Sequence, residues 1–301
     1  MTRAYTPLLL VLAAIWGASY LFIKVGVRDF EPTVLMTLRL LIGGLLLLAF
    51  LSAREGARDA FVQIGRAWRP GLIFGVINGA LPFTLIAWGE KHIDSGVAAI
   101  ANASVPIFVA LLAVKFNPSQ RSTGLRLVGI LLGLVGVGVL AGVHPEGGGW
   151  AVLGTLAVIL ASVSYASAGL YGQRVIGRAT GPVLATASML YGGVILLPFG
   201  LLQIPDHGPG WKPVLSLVGL AVLGTAVAQL FLFRILRLFG AARLSLVTYL
   251  MPAFALLYGS LILDEPLRPT MLIGLGLILG GIALGSGVWR PQRRAVADSA
   301  T

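Results

Sequence analysis

Two stretches decide how this chain reads: "ANASVPIFVALLAVKFNPSQRSTGLRLVGILLGLVGVGVL", Ala101–Leu140, and "LVTYLMPAFALLYGSLILDEPLRPTMLIGLGLILGGIAL", Leu246–Leu284. Each is an apolar run with an early proline, then a polar turn, then a glycine-rich apolar run. Pro252 lies 146 residues after Pro106; beyond one extra residue in the first turn, Gly274 and Gly281 lie 145 residues after Gly129 and Gly136. Working outward, Tyr20 aligns with Tyr165, Pro32 with Pro182 and Gly43 with Gly193. The chain therefore reads as a duplicated unit, with halves at residues 1–145 and 146–301.

Composition sets the solvent. Of 301 residues 57% are hydrophobic and 11% charged, with mean hydropathy +0.93. Soluble domains carry about 25% charged residues. Apolar runs of bilayer-crossing length recur along the whole chain, near 7–27, 33–51, 70–90, 96–115, 125–143, 149–171, 182–202, 213–233, 242–262 and 270–289. The expected fold is an all-α integral membrane protein of ten transmembrane helices. Short alternating segments, the mark of a transmembrane β-barrel, are not the pattern. With five runs per half, an odd number, the two copies enter the membrane in opposite directions, and inverted repeats in transporters surround a midplane site. The first run, Pro7 to Val27, carries aromatics and no clear small-x-small cleavage site, and reads as an uncleaved span.

The net charge of +11 does not point to nucleic acid. The basic residues lie between apolar runs, where topology signals belong. One set of ends holds Arg3, Arg54, Arg58, Arg66, Arg69, Lys115, Arg121, Arg126, Arg174, Arg178, Arg234, Arg237, Arg243, Arg290, Arg293 and Arg294; the other holds only Arg28, Lys91, Lys212 and Arg268. That bias places both termini in the cytoplasm. Cysteine is absent, so disulfide and thiolate chemistry are excluded. His92, His144 and His207 are scattered over loops, and no metalloprotease, Walker or nucleophile-elbow motif occurs. No enzyme activity, metal or cofactor is expected.

The candidate site comes from polar residues inside the runs. A proline removes the hydrogen bond to the carbonyl four residues back and kinks the helix. Pro82, Pro106 and Pro252 thus free the carbonyls of Asn78, Asn102 and Thr248, which in hydrocarbon need a partner or a cavity. Gln229, Thr248, Tyr249, Tyr165, Trp16 and Tyr20 add uncharged polar and aromatic groups, with Ser162 and Ser164 beside Tyr165. Such a lining suits an amphipathic organic solute. Trp16, Tyr20, Tyr165 and Tyr249 would form apolar walls, and Asn78, Asn102 and Gln229 would orient polar groups. Lys24 and Arg39 are the two cations inside runs. Lys24 lies near an end and can snorkel. Arg39 is expected to pair with Glu90, Asp94, Asp29 or Glu31, as a gate or a stabilising ion pair. The spacings Gly129xxxGly133, Gly276xxxGly280 and Gly281xxxGly285 read as close helix packing within a monomer.

"WGASYLFIKVG", Trp16–Gly26, "EPTVLMTLRLLIGG", Glu31–Gly44, and the two proline–glycine segments resemble the EamA branch of the drug/metabolite transporter superfamily. The resemblance covers nearly the whole chain. It implies ten spans in an inverted repeat, cytoplasmic termini in a bacterial inner membrane, and a cavity built from spans one, three, four, six, eight and nine. Within the family the chain looks most like the YddG-type exporters of aromatic and other neutral amino acids. The acid often found in the turn after the proline-bearing spans is kept at Glu265 and absent from "FNPSQRST". The function expected is export of small amphipathic metabolites by alternating access. The alternatives are lipophilic-cation efflux, a passive channel or a membrane-embedded enzyme.

Overall fold

The computed structural model describes residues 5–116, 124–142, 148–175, 179–204, 206–240, 244 and 246–286. They form twelve helices: α1 (Tyr5–Gly26), α2 (Pro32–Glu55), α3 (Ala57–Arg66), α4 (Trp68–Glu90), α5 (Ser95–Asn102), α6 (Val105–Phe116), α7 (Leu125–Gly142), α8 (Gly148–Val175), α9 (Gly181–Leu201), α10 (Trp211–Phe239), α11 (Val247–Ile262) and α12 (Pro269–Ser286). Among the described residues seven segments are long and apolar enough to cross a membrane, with α5 and the start of α6 counted as one; three shorter apolar helices lie in α7, α11 and α12. The chain is a polytopic helical membrane protein.

The helices form despite 40 glycines because, in hydrocarbon, only the helix satisfies its own backbone. Their starts are marked by proline at the first turn of α2 and α9, where its missing N–H costs nothing. The largest interfaces pair α7 with α12 and α2 with α9. Next, α4 lies against both α8 and α9, α1 against both α10 and α11, and α8 against α5 and α6.

The α7–α12 contact is almost backbone on backbone. A Cβ added at Gly281 would sit 2.5 Å from the Gly129 carbonyl and 2.6 Å from the Gly133 nitrogen. One at Gly136 would sit 3.0 Å from the Gly274 carbonyl. Gly129, Gly133 and Gly281 thus pack within the chain, as their spacing predicts. Gly276 does not take part, since nothing lies within 4 Å of its Cβ position.

Three features depart from the sequence reading. Helix α3 was not anticipated: it is amphipathic, burying Ala60 and Ile64 one turn apart while Phe61 stays exposed. The Tyr191 hydroxyl of α9 holds it by donating to the Ile64 carbonyl at 3.2 Å. The expected span at 96–115 is two helices, broken at Ala103 and Ser104. Parts of the expected spans at 125–143, 242–262 and 270–289, the cations Arg3, Lys115, Arg121, Arg126, Arg178, Arg243, Arg290, Arg293 and Arg294, and His144 lie wholly or in their side chains outside the described residues.

Candidate functional site

The helices that carry the candidate residues are irregular where those residues lie. In α4, Val76–Ala80 widens into a π-turn containing Asn78. There the Leu81 N–H bonds the Val76 carbonyl, five residues back. One step further this register meets Pro82, which has no N–H, so the carbonyl left over is that of Ile77 rather than the expected Asn78. The Ser164 hydroxyl of α8 donates to it at 2.7 Å. A released carbonyl in hydrocarbon requires such a donor.

Helix α10 widens at Val222–Val227. Val222 follows Val76 by 146 residues, the offset that separates Pro106 from Pro252. No proline marks this turn, since Ala228 stands where Pro82 stands in α4. Instead Thr225 donates its hydroxyl to the Leu220 carbonyl, five residues back, at 3.0 Å. Ser19 of α1 lies against this turn: a Cβ at Gly224 would come within 2.6 Å of its oxygen. The two wide turns therefore each face a serine that precedes an aligned tyrosine, Ser164–Tyr165 and Ser19–Tyr20.

At Pro106 the chain breaks rather than kinks. Helix α5 ends at Asn102, and the Ser104 N–H and hydroxyl both turn back to the Ala101 carbonyl, at 3.2 and 2.6 Å. Pro106 then occupies the first turn of α6, where a missing N–H is harmless. Pro252 lies inside the continuous helix α11.

Around these irregularities a polar layer forms. The Asn102 amide donates to the Tyr20 hydroxyl at 2.8 Å, and Ser162 of α8 lies 3.2 Å from the Asn102 side-chain carbonyl. Asn102 therefore ties α1, α5 and α8 together. Arg39 of α2 is 5% exposed. Its Nε donates to the Thr225 hydroxyl at 3.0 Å, and its guanidinium carbon lies 3.8 Å from the Phe83 ring centroid. Phe83 in turn lies 6.4 Å from the Tyr165 ring. Trp16, Tyr165 and Tyr249 are half-buried and pack on the same apolar core that contains Tyr20. Asn78, Gln229 and Thr248 are half-buried on α4, α10 and α11.

The expected ion pair of Arg39 is not formed. Among the described residues the carboxylates named for it are placed elsewhere: Glu31 pairs with Lys91 at 3.0 Å, and Asp29 accepts the Gly210 N–H at 2.7 Å. Asp94 precedes α5 at its N-terminus. Glu90 is wholly buried, and neither carboxyl oxygen has a hydrogen-bond partner. The Lys24 ammonium donates to the carbonyls of Glu90 and Ile93, each at 2.7 Å, where α4 ends. Thr225 and Phe83 complete the layer without having been foreseen. Thr225 had no proline beside it to mark the wide turn, and Phe83 read as one more apolar residue.

A cleft of about 630 Å³ opens at the basic end of α1, α2 and α10, lined by Leu8, Phe50, Phe231, Arg54, Arg234 and Arg237. None of the candidate site residues lines it. Among the described residues no cluster of histidine and carboxylates could hold a metal.

Membrane-length helices, broken where buried polar groups gather, are the build of a transport protein. The chain belongs to the EamA-like transporter family, which it matches over residues 5–142 and 152–287. It is 28% identical to the "Uncharacterized inner membrane transporter YedA" of Escherichia coli, over 92% of this chain and 88% of that protein. It is equally close to an "Uncharacterized transporter" of Archaeoglobus fulgidus, 28% identical over 89% of this chain and 93% of that one. A "Probable amino-acid metabolite efflux pump" of Escherichia coli is 25% identical over 94% of each chain. A crystal structure at 21% identity matches the fold with a TM-score of 0.66, over 96% of this chain and 98% of the other. The protein is thus a membrane transporter of this family.

Proposed function

We propose that this transporter is a secondary carrier exporting small amphipathic metabolites that bear a carboxylate, foremost aromatic and other neutral amino acids. The observation that carries this reading is Arg39, a buried guanidinium flanked by Phe83 and Thr225, with no carboxylate partner among the described residues. An uncompensated buried cation costs several kcal/mol. A solute carboxylate would offset that cost. Tyr20, Tyr165 and Trp16 would face its side chain, and Asn102 with Ser162 would meet its polar groups. A buried cation also argues against lipophilic-cation efflux, the second reading.

The mechanism proposed is alternating access between two inverted five-helix halves, 1–145 and 146–301. Three observations support it. The wide turns share the 146-residue offset of the prolines. The family match falls in two segments of similar length. Exchanging each helix for its aligned counterpart carries the main pairings onto one another: α4 on α8 becomes α10 on α1, and α1 on α11 becomes α8 on α5 and α6. In this reading the protein works as a monomer in a bacterial inner membrane, both termini cytoplasmic, and the basic cleft admits solute from the cytoplasm.

Counterflow in proteoliposomes tests it. Labelled phenylalanine should exchange saturably against unlabelled amino acids. Arg39→Gln should reduce exchange about 100-fold and Asn102→Leu about tenfold, as expected for losing a charge-assisted and a neutral hydrogen bond. Saturable exchange of a lipophilic cation with none of any amino acid would overturn the assignment.

A further inference from the structure

Glu90 ends α4 at the end of the bundle opposite the basic loops. It is 0% exposed, and both carboxyl oxygens lack any hydrogen-bond partner. A neighbouring cation, Lys24, is spent on backbone: its ammonium is held by the carbonyls of Glu90 itself and of Ile93. No ion pair joins the two side chains. The other nearby acid, Glu265, is fully used, accepting from the Ser95 N–H at 2.9 Å, the Ser95 hydroxyl at 2.7 Å and the Gly96 N–H at 3.4 Å. It therefore caps the start of α5 with its hydrogen-bonding capacity taken up.

The ionisable groups around Glu90 are Lys24 and Tyr20 from α1, Arg39 from α2, Glu265 from the turn after α11, and Lys91, His92 and Asp94 from the turn that follows Glu90 itself. Helix α5 carries no titratable side chain, and Tyr165 of α8 acts on Arg39. An ionised carboxylate with no hydrogen bond in such a place is costly by several kcal/mol, and a neutral acid far less so. The closed packing of α1, α4 and the turn before α5 is therefore compatible with the neutral acid.

We propose that Glu90 is a proton-binding site of the carrier, and that its proton leaves when this end of the bundle opens. Water admitted between α1 and α4 takes the proton. The Lys24 ammonium then shifts from the two backbone carbonyls to the new carboxylate. Reprotonation returns Lys24 to the carbonyls and closes the end. Transport is thereby tied to pH on this face of the membrane.

Infrared spectroscopy of the full chain in liposomes tests the site without any solute. In difference spectra against Glu90→Gln, wild type should show a carboxylic-acid C=O stretch at neutral pH that is lost as pH rises. The amide band of the same spectra reports whether each variant is folded. Lys24→Met removes the cation that favours the ionised form, so the band should persist about one pH unit higher. Spectra of wild type and folded Glu90→Gln that agree at every pH would overturn the proposal, as would a band unmoved in folded Lys24→Met. A second arm rests on the carrier reading. Phenylalanine counterflow should slow as pH falls on this face in wild type, and should be slow and independent of pH in Glu90→Gln. If wild type exchanges no amino acid, the carrier assignment fails while the infrared band still decides the proton site.

Discussion

Arg39 and Glu90 show how little a residue's type says about its partner. Both are buried ionisable groups, yet the guanidinium rests on an aromatic ring and a threonine while the carboxyl has no partner. His92, just past α4, is a third case. It stacks on Trp150 at 5.2 Å and meets the Trp88 ring edge-on at 4.8 Å. Burial, and then the charges of Lys91 and Lys24, hold its imidazole below the ordinary range near 6.5. The folded state thus binds this proton less readily than the unfolded one, so its contribution is present at neutral pH and is lost progressively as pH falls below about 6.5. A wild-type melting temperature should accordingly fall below pH 6.5 by more than that of His92→Phe. Identical pH profiles would show that the imidazole does not titrate in this way.

At the scale of the element, the irregular turns shape the candidate site. Two wide turns and one break put Asn78, Thr225 and Asn102 where regular helices would have continued their ladders. The α4 turn depends on a donor from another helix. Ser164→Ala should leave the Ile77 carbonyl unpaired and destabilise the protein by about 1–2 kcal/mol. Adding Pro82→Ala supplies the N–H that the wide-turn register brings to that carbonyl, five residues back, so the double variant should recover part of the loss. Thermal melts in detergent measure both. A double variant less stable than Ser164→Ala would mean that the proline, and not the serine, sustains the turn.

For the whole molecule, α7 and α12 clamp the two proposed halves together through glycines. Gly281→Leu would drive a side chain into the Gly129–Gly133 backbone and should cost about 3 kcal/mol or prevent folding. Gly276→Leu, with open space at its Cβ, should stay within about 0.5 kcal/mol of wild type. The contrast, read from expression as a monodisperse protein and from melting, separates the glycines that hold the bundle from those that merely repeat the motif.

Run length, loop charge and the 146-residue offset between Pro106 and Pro252 belong to the chain as a string. In hydrocarbon the backbone has almost no alternative to the helix, so these alone specify a helical membrane bundle, and the marked prolines point to where its ladders fail. That Trp16, Tyr20, Tyr165 and Tyr249 would face protein was legible for the same reason: all four lie in spans that must pack on one another, and all four meet the apolar core. What a failed ladder becomes was not legible. Pro106 gave a break, Pro82 a π-turn, and Ala228 marked a π-turn with no signal at all. Nor were the partners legible: Ile77 for Ser164, Thr225 for Arg39, and none for Glu90. Such choices depend on which side chains from distant segments reach a given carbonyl or charge within about 3 Å, and only tertiary packing sets those distances.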